Sequence, residues 1–181
     1  AHGAKRMALD KVIVKRVASI ENFGRINVLC SDKTGTLTEG VVKLHSALNV
    51  DGHESEKVLL YAFLNASYET GFMNPIDEAI RKYRPFDLSG YQKLDEVPYD
   101  FIRKRLSILI SKGDTHLMVT KGALSNVFAV CSSAEIAEGR IVDIVTVKEQ
   151  TRQHFEEFSR KGFRTLGVAY RDVGSDTVIT R

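Results

Sequence analysis

Leu106-Ser107-Ile108-Leu109-Ile110-Ser111-Lys112-Gly113-Asp114-Thr115-His116-Leu117-Met118-Val119-Thr120 sets two short apolar runs about a polar tetrapeptide. Leu106 to Ser111 and His116 to Thr120 have the length and composition of strands, and Lys112 to Thr115 carries the glycine that a tight reversal needs. Strands joined this closely pair antiparallel, because a parallel return needs a crossover of about a dozen residues or more. Tyr91 to Val97, just upstream, has the same strand character and extends the sheet.

Helical patterns lie on either side. Ser55 is an N-cap for a helix from Glu56 to about Tyr68, with Val58, Leu59, Ala62, Phe63 and Ala66 as its apolar stripe. Asn74-Pro75-Ile76-Asp77 is a compact helix start, with Asn74 as cap, Pro75 in the first turn and Asp77 where a carboxylate meets the positive helix end. Ala79, Ile80 and Tyr83 continue its buried side. Further on, the pattern predicts a helix over Gly122 to Cys131, a strand over Arg140 to Val145, and a helix over Val147 to Lys161 with Phe155 and Phe158 inward. Gly162 ends that helix, and a strand runs from Phe163 to Tyr170. With extended chain from Val41 to the Asp51-Gly52 turn, these elements make an α+β domain over residues 39–172, an antiparallel β-sheet with flanking helices.

Residues 1–38 have a different character. Ala4 to Ile20 has roughly helical periodicity, and Arg25 to Cys30 reads as a buried strand emptying into the polar loop Ser31-Asp32-Lys33-Thr34-Gly35. The carboxyl ends of such strands are where open α/β sheets place ligands.

The 181 residues suffice for one ordinary domain carrying part of a neighbour. A hydrophobic share of 43% with 27% charged residues excludes disordered and low-complexity classes. A net charge of +3 with both signs interspersed is too weak to point to nucleic acid. No apolar run reaches the about 18 residues of a membrane span. Cys30 and Cys131 stand alone, which fits a reducing compartment, and the five histidines have no metal-ligand spacing. The start at Ala1, without an initiator methionine or a leader pattern, suggests a chain cut from something larger.

Asp32-Lys33-Thr34-Gly35-Thr36-Leu37-Thr38 is the sharpest chemical feature. A carboxylate at a strand end, followed by a cation, hydroxyls and a flexible glycine, can supply a nucleophile and bind phosphoryl oxygens. The same composition also suits a plain polar turn. It is not a Walker A loop, since the order Gly-Lys-Ser/Thr is absent.

This heptapeptide resembles the phosphorylation motif of P-type cation-transporting ATPases. Asn74 to Ile80, the block from Pro98 to Ser107, Lys121-Gly122-Ala123 and Gly162-Phe163-Arg164-Thr165-Leu166 follow in the family's order, so the resemblance covers essentially the whole chain. It is most like the magnesium-transporting group, which shares Lys11 to Arg16 leading into Ile20 to Gly24.

The resemblance implies a nucleotide-binding domain at residues 39–172, preceded at 1–38 by a stalk helix and the first strand of an α/β phosphorylation domain, with 173–181 returning to it. It implies that Asp32 attacks the γ-phosphate of ATP, that Lys33 offsets charge, and that Asp32 and Thr34 take part in holding Mg²⁺. It implies that Tyr99 stacks on adenine, Asp77 bonds near its amino group, Lys104 lies beside adenine and phosphates, Lys121 and Gly122 line the inner wall, and Arg164 contacts the β-phosphate or ribose. ATP and Mg²⁺ are the implied cofactors, and the remaining phosphorylation, actuator and transmembrane domains the implied partners. The implied location is the cell membrane for the whole protein, with this portion facing the cytoplasm and monomeric by itself. The family's Thr-Gly-Asp and Gly-Asp-Gly-x-x-Asn-Asp segments do not occur in the chain, so weak nucleotide binding without turnover is expected of it. Competing readings are a non-catalytic nucleotide-binding or regulatory module, a calcium or proton pump, and an acid-phosphatase-like enzyme; the last expects an aspartate where Thr34 stands.

Overall fold

A computed structural model of the chain describes residues 2–16, 18–28, 30–32, 40–71 and 74–179. It divides into two compact units, Ala1–Val41 and Val42–Arg181.

In the first unit, helices α1 (His2–Leu9) and α2 (Ser19–Phe23) replace the single helix expected over Ala4 to Ile20. The break has a local cause. Lys11 takes a left-handed conformation with φ 61°, while Val12 N donates to Met7 O at 2.9 Å and Lys11 N to Ala8 O at 3.1 Å. This pair of bonds is a Schellman stop, which closes the helix one turn after Met7. No strand forms over the described part of Arg25 to Cys30, and Val28 is exposed, contrary to the buried strand expected there. A strand exists only in a ladder, and no described segment pairs with this one.

In the second unit, α3 (Glu56–Tyr68) and α4 (Pro75–Tyr83) are capped as the sequence predicts: Ser55 Oγ accepts from Val58 N, and Asn74 Oδ1 from Ile76 N. The four-stranded sheet follows the order β1 (Tyr91–Asp100), β2 (Arg105–Lys112), β3 (Thr115–Ala123) and β6 (Leu166–Asp172), all antiparallel. The β2–β3 reversal lies at Lys112 to Thr115, with Gly113 at φ 57°. Between β3 and β6 come α5 (Leu124–Phe128), a small hairpin of β4 (Ser133–Glu135) and β5 (Ile141–Asp143), and α6 (Ile144–Arg160).

Side-chain alternation sorts the sheet into two faces. Leu106, Ile108, Ile110 and Val119 pack with Leu64 of α3 as the main core. A second cluster of Ala62, Phe63, Ala66 and Ile80 joins α3 to α4. Asn65, fully buried, donates to Val119 O at 3.0 Å and ties α3 to β3. On the other face, a Cβ at Gly167 would sit 3.0 Å from Val127 Cβ, so α5 packs closely on β6 there. The tail crosses the same face, since Ile179 N donates to Asp95 Oδ2 at 2.7 Å and Asp95 stands opposite Leu109.

Several boundaries differ from expectation. Gly122 lies within β3, so the helix expected from Gly122 to Cys131 shrinks to α5, because pairing with Arg105 and Gly167 holds Gly122 extended. The strand expected over Arg140 to Val145 is only β5, because Asp143 caps α6 by accepting from Val145 N. β6 begins at Leu166 rather than Phe163, since α6 ends in its own Schellman stop. There Gly162 has φ 82°, Phe163 N donates to Phe158 O at 2.9 Å, and the rings of Phe158 and Phe163 meet edge-on. Tyr83 and Phe155, expected inward, are exposed.

Candidate functional site

One end of the sheet, where β1 and β3 finish and β2 and β6 begin, collects the residues singled out from the sequence. The β1–β2 register passes from Val97↔Ser107 to Asp100↔Arg105, so Pro98 and Tyr99 together stand opposite Leu106. Leu106 pairs with Lys121, and Lys121 with Val168. Tyr99, Leu106 and Lys121 therefore occupy one row across three strands, with the outer two about 10 Å apart at ordinary strand spacing.

Tyr99 is 47% exposed, and its ring meets Phe101 edge-on with centroids 5.3 Å apart. The turn beyond it is tightly determined. The Asp100 carboxylate accepts from Ile102 N at 2.7 Å, Arg103 N at 3.1 Å and Arg103 Nε at 2.9 Å. Those backbone donors, with the Arg103 guanidinium, hold the Asp100 carboxyl below the usual range. Lys104, exposed, sits at φ 51°, and its carbonyl accepts from Ala123 N at 2.9 Å. This bond clasps the β1–β2 turn onto the end of β3.

Gly122 makes the clasp sterically feasible. A Cβ there would lie 2.3 Å from Lys104 O and 2.6 Å from Arg105 Cα. The sequence reading set Gly122 at the start of a helix; it is a strand residue, and the close approach it permits is to the protein's own backbone.

Lys121 is only 4% exposed. Its ammonium forms an ion pair with Asp77 of α4, itself 2% exposed, and lies 3.7 Å from Glu69 Oε2 just past α3. Burial, the neighbouring Asp77 carboxyl and Glu96 push the Glu69 carboxyl up to about 7, against the pull of Lys121. Glu96 of β1 accepts from Thr70 Oγ1 at 2.7 Å and pairs with Lys93. Arg164 is exposed two residues before Leu166, which pairs with Ala123 at this same sheet end.

Asp77, Tyr99, Lys104, Lys121, Gly122 and Arg164 thus share one end of the second unit. Asp32 belongs to the first unit, where it is exposed, while Lys33 and Thr34 lie outside the described residues. Among the described residues no group of three or more His, Cys, Asp and Glu side chains could hold a metal ion. A surface depression along α4, lined by Asn74, Pro75, Glu78, Arg81 and Lys82, involves none of the residues at the sheet end. Sequence reasoning missed Glu69 and Asn65. Asn65, Ala66, Ser67, Tyr68 and Glu69 close α3 with no local motif that marks either residue.

An antiparallel sheet flanked by capped helices agrees with a match over residues 19–179 to the family model described as P-type ATPase, cytoplasmic domain N. The chain belongs to that family. It is 36% identical over 176 residues to Magnesium-transporting ATPase, P-type 1 of Escherichia coli K12, an alignment covering 93% of this chain and 20% of that protein. Identity to the protein of the same name in Salmonella typhimurium LT2 is 37% over 176 residues, covering 93% of this chain and 19% of the other. Plasma membrane ATPase 1 of Candida albicans is 30% identical over 177 residues, 93% of this chain and 19% of its own length. The chain therefore spans about a fifth of the curated relatives it matches. No described helix is long and apolar enough to cross a membrane.

Proposed function

We propose that residues 39–172 bind ATP at the sheet end described above and, in the whole protein, present its γ-phosphate to Asp32. The observation that supports this most directly is the row Tyr99–Leu106–Lys121. The half-exposed Tyr99 ring offers a flat face to solvent, and the Lys121 ammonium lies two strands away in the same row. Tyr99 supplies a stacking face, and the Asp77–Lys121 pair a polar inner wall. Lys104 and Arg164, both exposed at this end, suit the anionic phosphates, and the planar fork of Arg164 suits a phosphate or ribose edge.

Asp32 is then the nucleophile. One carboxylate oxygen bonds to the γ-phosphorus as the bond to the β–γ bridging oxygen breaks, and ADP leaves with that electron pair. Lys33 would offset charge on the transferred group, and Asp32 with Thr34 would take part in holding the Mg²⁺ that neutralises phosphate charge. In this reading residues 1–38 belong to a phosphorylation domain and 173–181 lead back to it. The transported ion is magnesium, by likeness to the relatives named for that transport. The chain by itself is monomeric and binds ATP with micromolar to millimolar affinity, about 4 to 8 kcal/mol, without turnover. Its setting is the cytoplasmic side of a membrane protein.

The test is an amide NMR titration of the chain with ATP, ADP and GTP, repeated with Tyr99→Ala. Shifts should centre on Asp77, Tyr99, Lys104, Lys121 and Arg164, and the variant should lose them while keeping its fold. If millimolar ATP perturbs none of these amides, or perturbs Tyr99→Ala equally, the proposal fails. Incubation with γ-labelled ATP and Mg²⁺ checks the rest: a stable, stoichiometric, Asp32-dependent phosphoenzyme would overturn the absence of turnover.

A further inference from the structure

Lys121 is one buried cation between two carboxylates. Its ammonium satisfies Asp77 Oδ1, yet Asp77 Oδ2 and Glu69 Oε2 are both buried without a hydrogen-bond donor. A buried acceptor without a donor is costly, and an uncompensated buried negative charge more so. The groups facing Glu69 do not supply the missing donor. Asp77 of α4 is itself an acceptor, and the Lys121 ammonium of β3, hydrogen-bonded to Asp77, stays 3.7 Å from Glu69 Oε2, beyond hydrogen-bond reach. Glu96 of β1 is engaged by Lys93 and Thr70, and Arg81 of α4 donates instead to Ala66 O. Glu69 also caps the carboxyl end of α3, where its N–H meets Asn65 O and the helix dipole disfavours a second negative charge. A single proton between the two carboxyls resolves all of this, because an O–H on Glu69 donates to Asp77 and the cluster of three becomes neutral.

We propose that Glu69 is a positioning residue that shares one proton with Asp77, and that this proton holds the Lys121 ammonium against Asp77 and so shapes the inner wall of the nucleotide site. The inference rests on the ATP-binding reading above. When the proton leaves, Glu69 competes with Asp77 for the ammonium and adds a negative charge beside the site, and ATP binds more weakly. The burial and charge that push the Glu69 carboxyl up to about 7 put this loss in the neutral range.

The test uses the chain as it stands, with E69Q as a mimic of the protonated acid and E69A as a variant with no such group. The Glu69 side-chain carboxyl is first followed by carbon NMR against pH without nucleotide. ATP affinity is then measured for all three proteins at two pH values, one on each side of neutrality. The expected results are a Glu69 carboxyl that titrates near neutrality, a wild-type affinity that falls about fivefold more than that of E69Q across this range, corresponding to about 0.7 of a pKa unit of coupling, and an E69A protein weak at both pH values. The γ-phosphate of ATP titrates in the same range, and E69Q reports that contribution alone. A Glu69 carboxyl that titrates in the ordinary carboxylate range overturns the shared proton. Parallel loss in wild type and E69Q overturns the positioning role. ATP bound by none of the three proteins overturns the ATP-binding reading and the coupling with it, while the carboxyl titration still decides the shared proton.

Discussion

Gly122→Ala should damage the fold of the second unit far out of proportion to the addition of one methyl group. The new Cβ would stand 2.3 Å from Lys104 O and 2.6 Å from both Cα and Cβ of Arg105. Two of these are backbone atoms, so no rotamer change relieves the contact, and overpacking of this kind costs about 1 to 3 kcal/mol. Moving Lys104 away also lengthens the bond from Ala123 N to Lys104 O, now 2.9 Å, at about 1 kcal/mol. Together these give about 3 kcal/mol, read as a fall in the urea midpoint at unchanged slope. The chain has no tryptophan, so far-UV circular dichroism is the natural probe. Gly71→Ala is the control, because the nearest atom to its added Cβ is Glu69 Oε1 at an ordinary 3.8 Å. A Gly122→Ala protein within about 0.5 kcal/mol of the control, inside the range of ordinary surface changes, would refute the steric reasoning and return Gly122 to a role in ligand approach alone.

Lys121→Met should cost about 3 to 5 kcal/mol, because it strands two buried carboxyls; urea midpoints measure the loss, and adding Asp77→Asn should recover part of it. Stability should depend on pH through Glu69. Its folded pKa is raised from 4.5 to about 7, so between these values the folded state holds a proton that the unfolded chain has released. Stability therefore falls as pH rises across that window, by up to about 3 kcal/mol, and levels off above it. Glu69→Gln should flatten this slope, and midpoint curves that stay parallel from pH 4.5 to 8 would contradict it. Ser55→Ala removes the acceptor for Val58 N and should lower the urea midpoint by about 1 kcal/mol.

The parts of the fold that were legible in the sequence are those decided within a few residues. Ser55 and Asn74 announce their helices because capping is local chemistry, and Lys112 to Thr115 announces the hairpin because a short reversal admits few sequences. Where pairing partners far along the chain decide, local signals mislead. Gly122 and Ala123 look like a helix start, but Arg105 on one side and Gly167 and Leu166 on the other keep them in the sheet. The stop at Lys11 was hidden because a lysine fills the left-handed position where a glycine is the usual marker. At the candidate site, Asp77, Tyr99, Lys104, Lys121 and Arg164 could be picked out by motif, yet nothing local reveals that Lys121 is buried against Asp77. Glu69 was invisible for the same reason, since its environment comes from α4 and β3 rather than from α3.

The place of β6 in the sheet bears on how the chain reaches its native state. β1, β2 and β3 are consecutive hairpin partners, whereas β6 pairs with β3 only after the intervening α5, β4, β5 and α6 have been made. Its loop closure is the long one, so nucleation among the three local strands should precede it. Until β6 docks, Leu117 to Ala123 present an open edge rich in apolar side chains, the template on which strands of other chains add. During synthesis this edge stays uncovered until Leu166 to Asp172 have been translated, and a ribosome stalled before that point would hold the most aggregation-prone form of the domain.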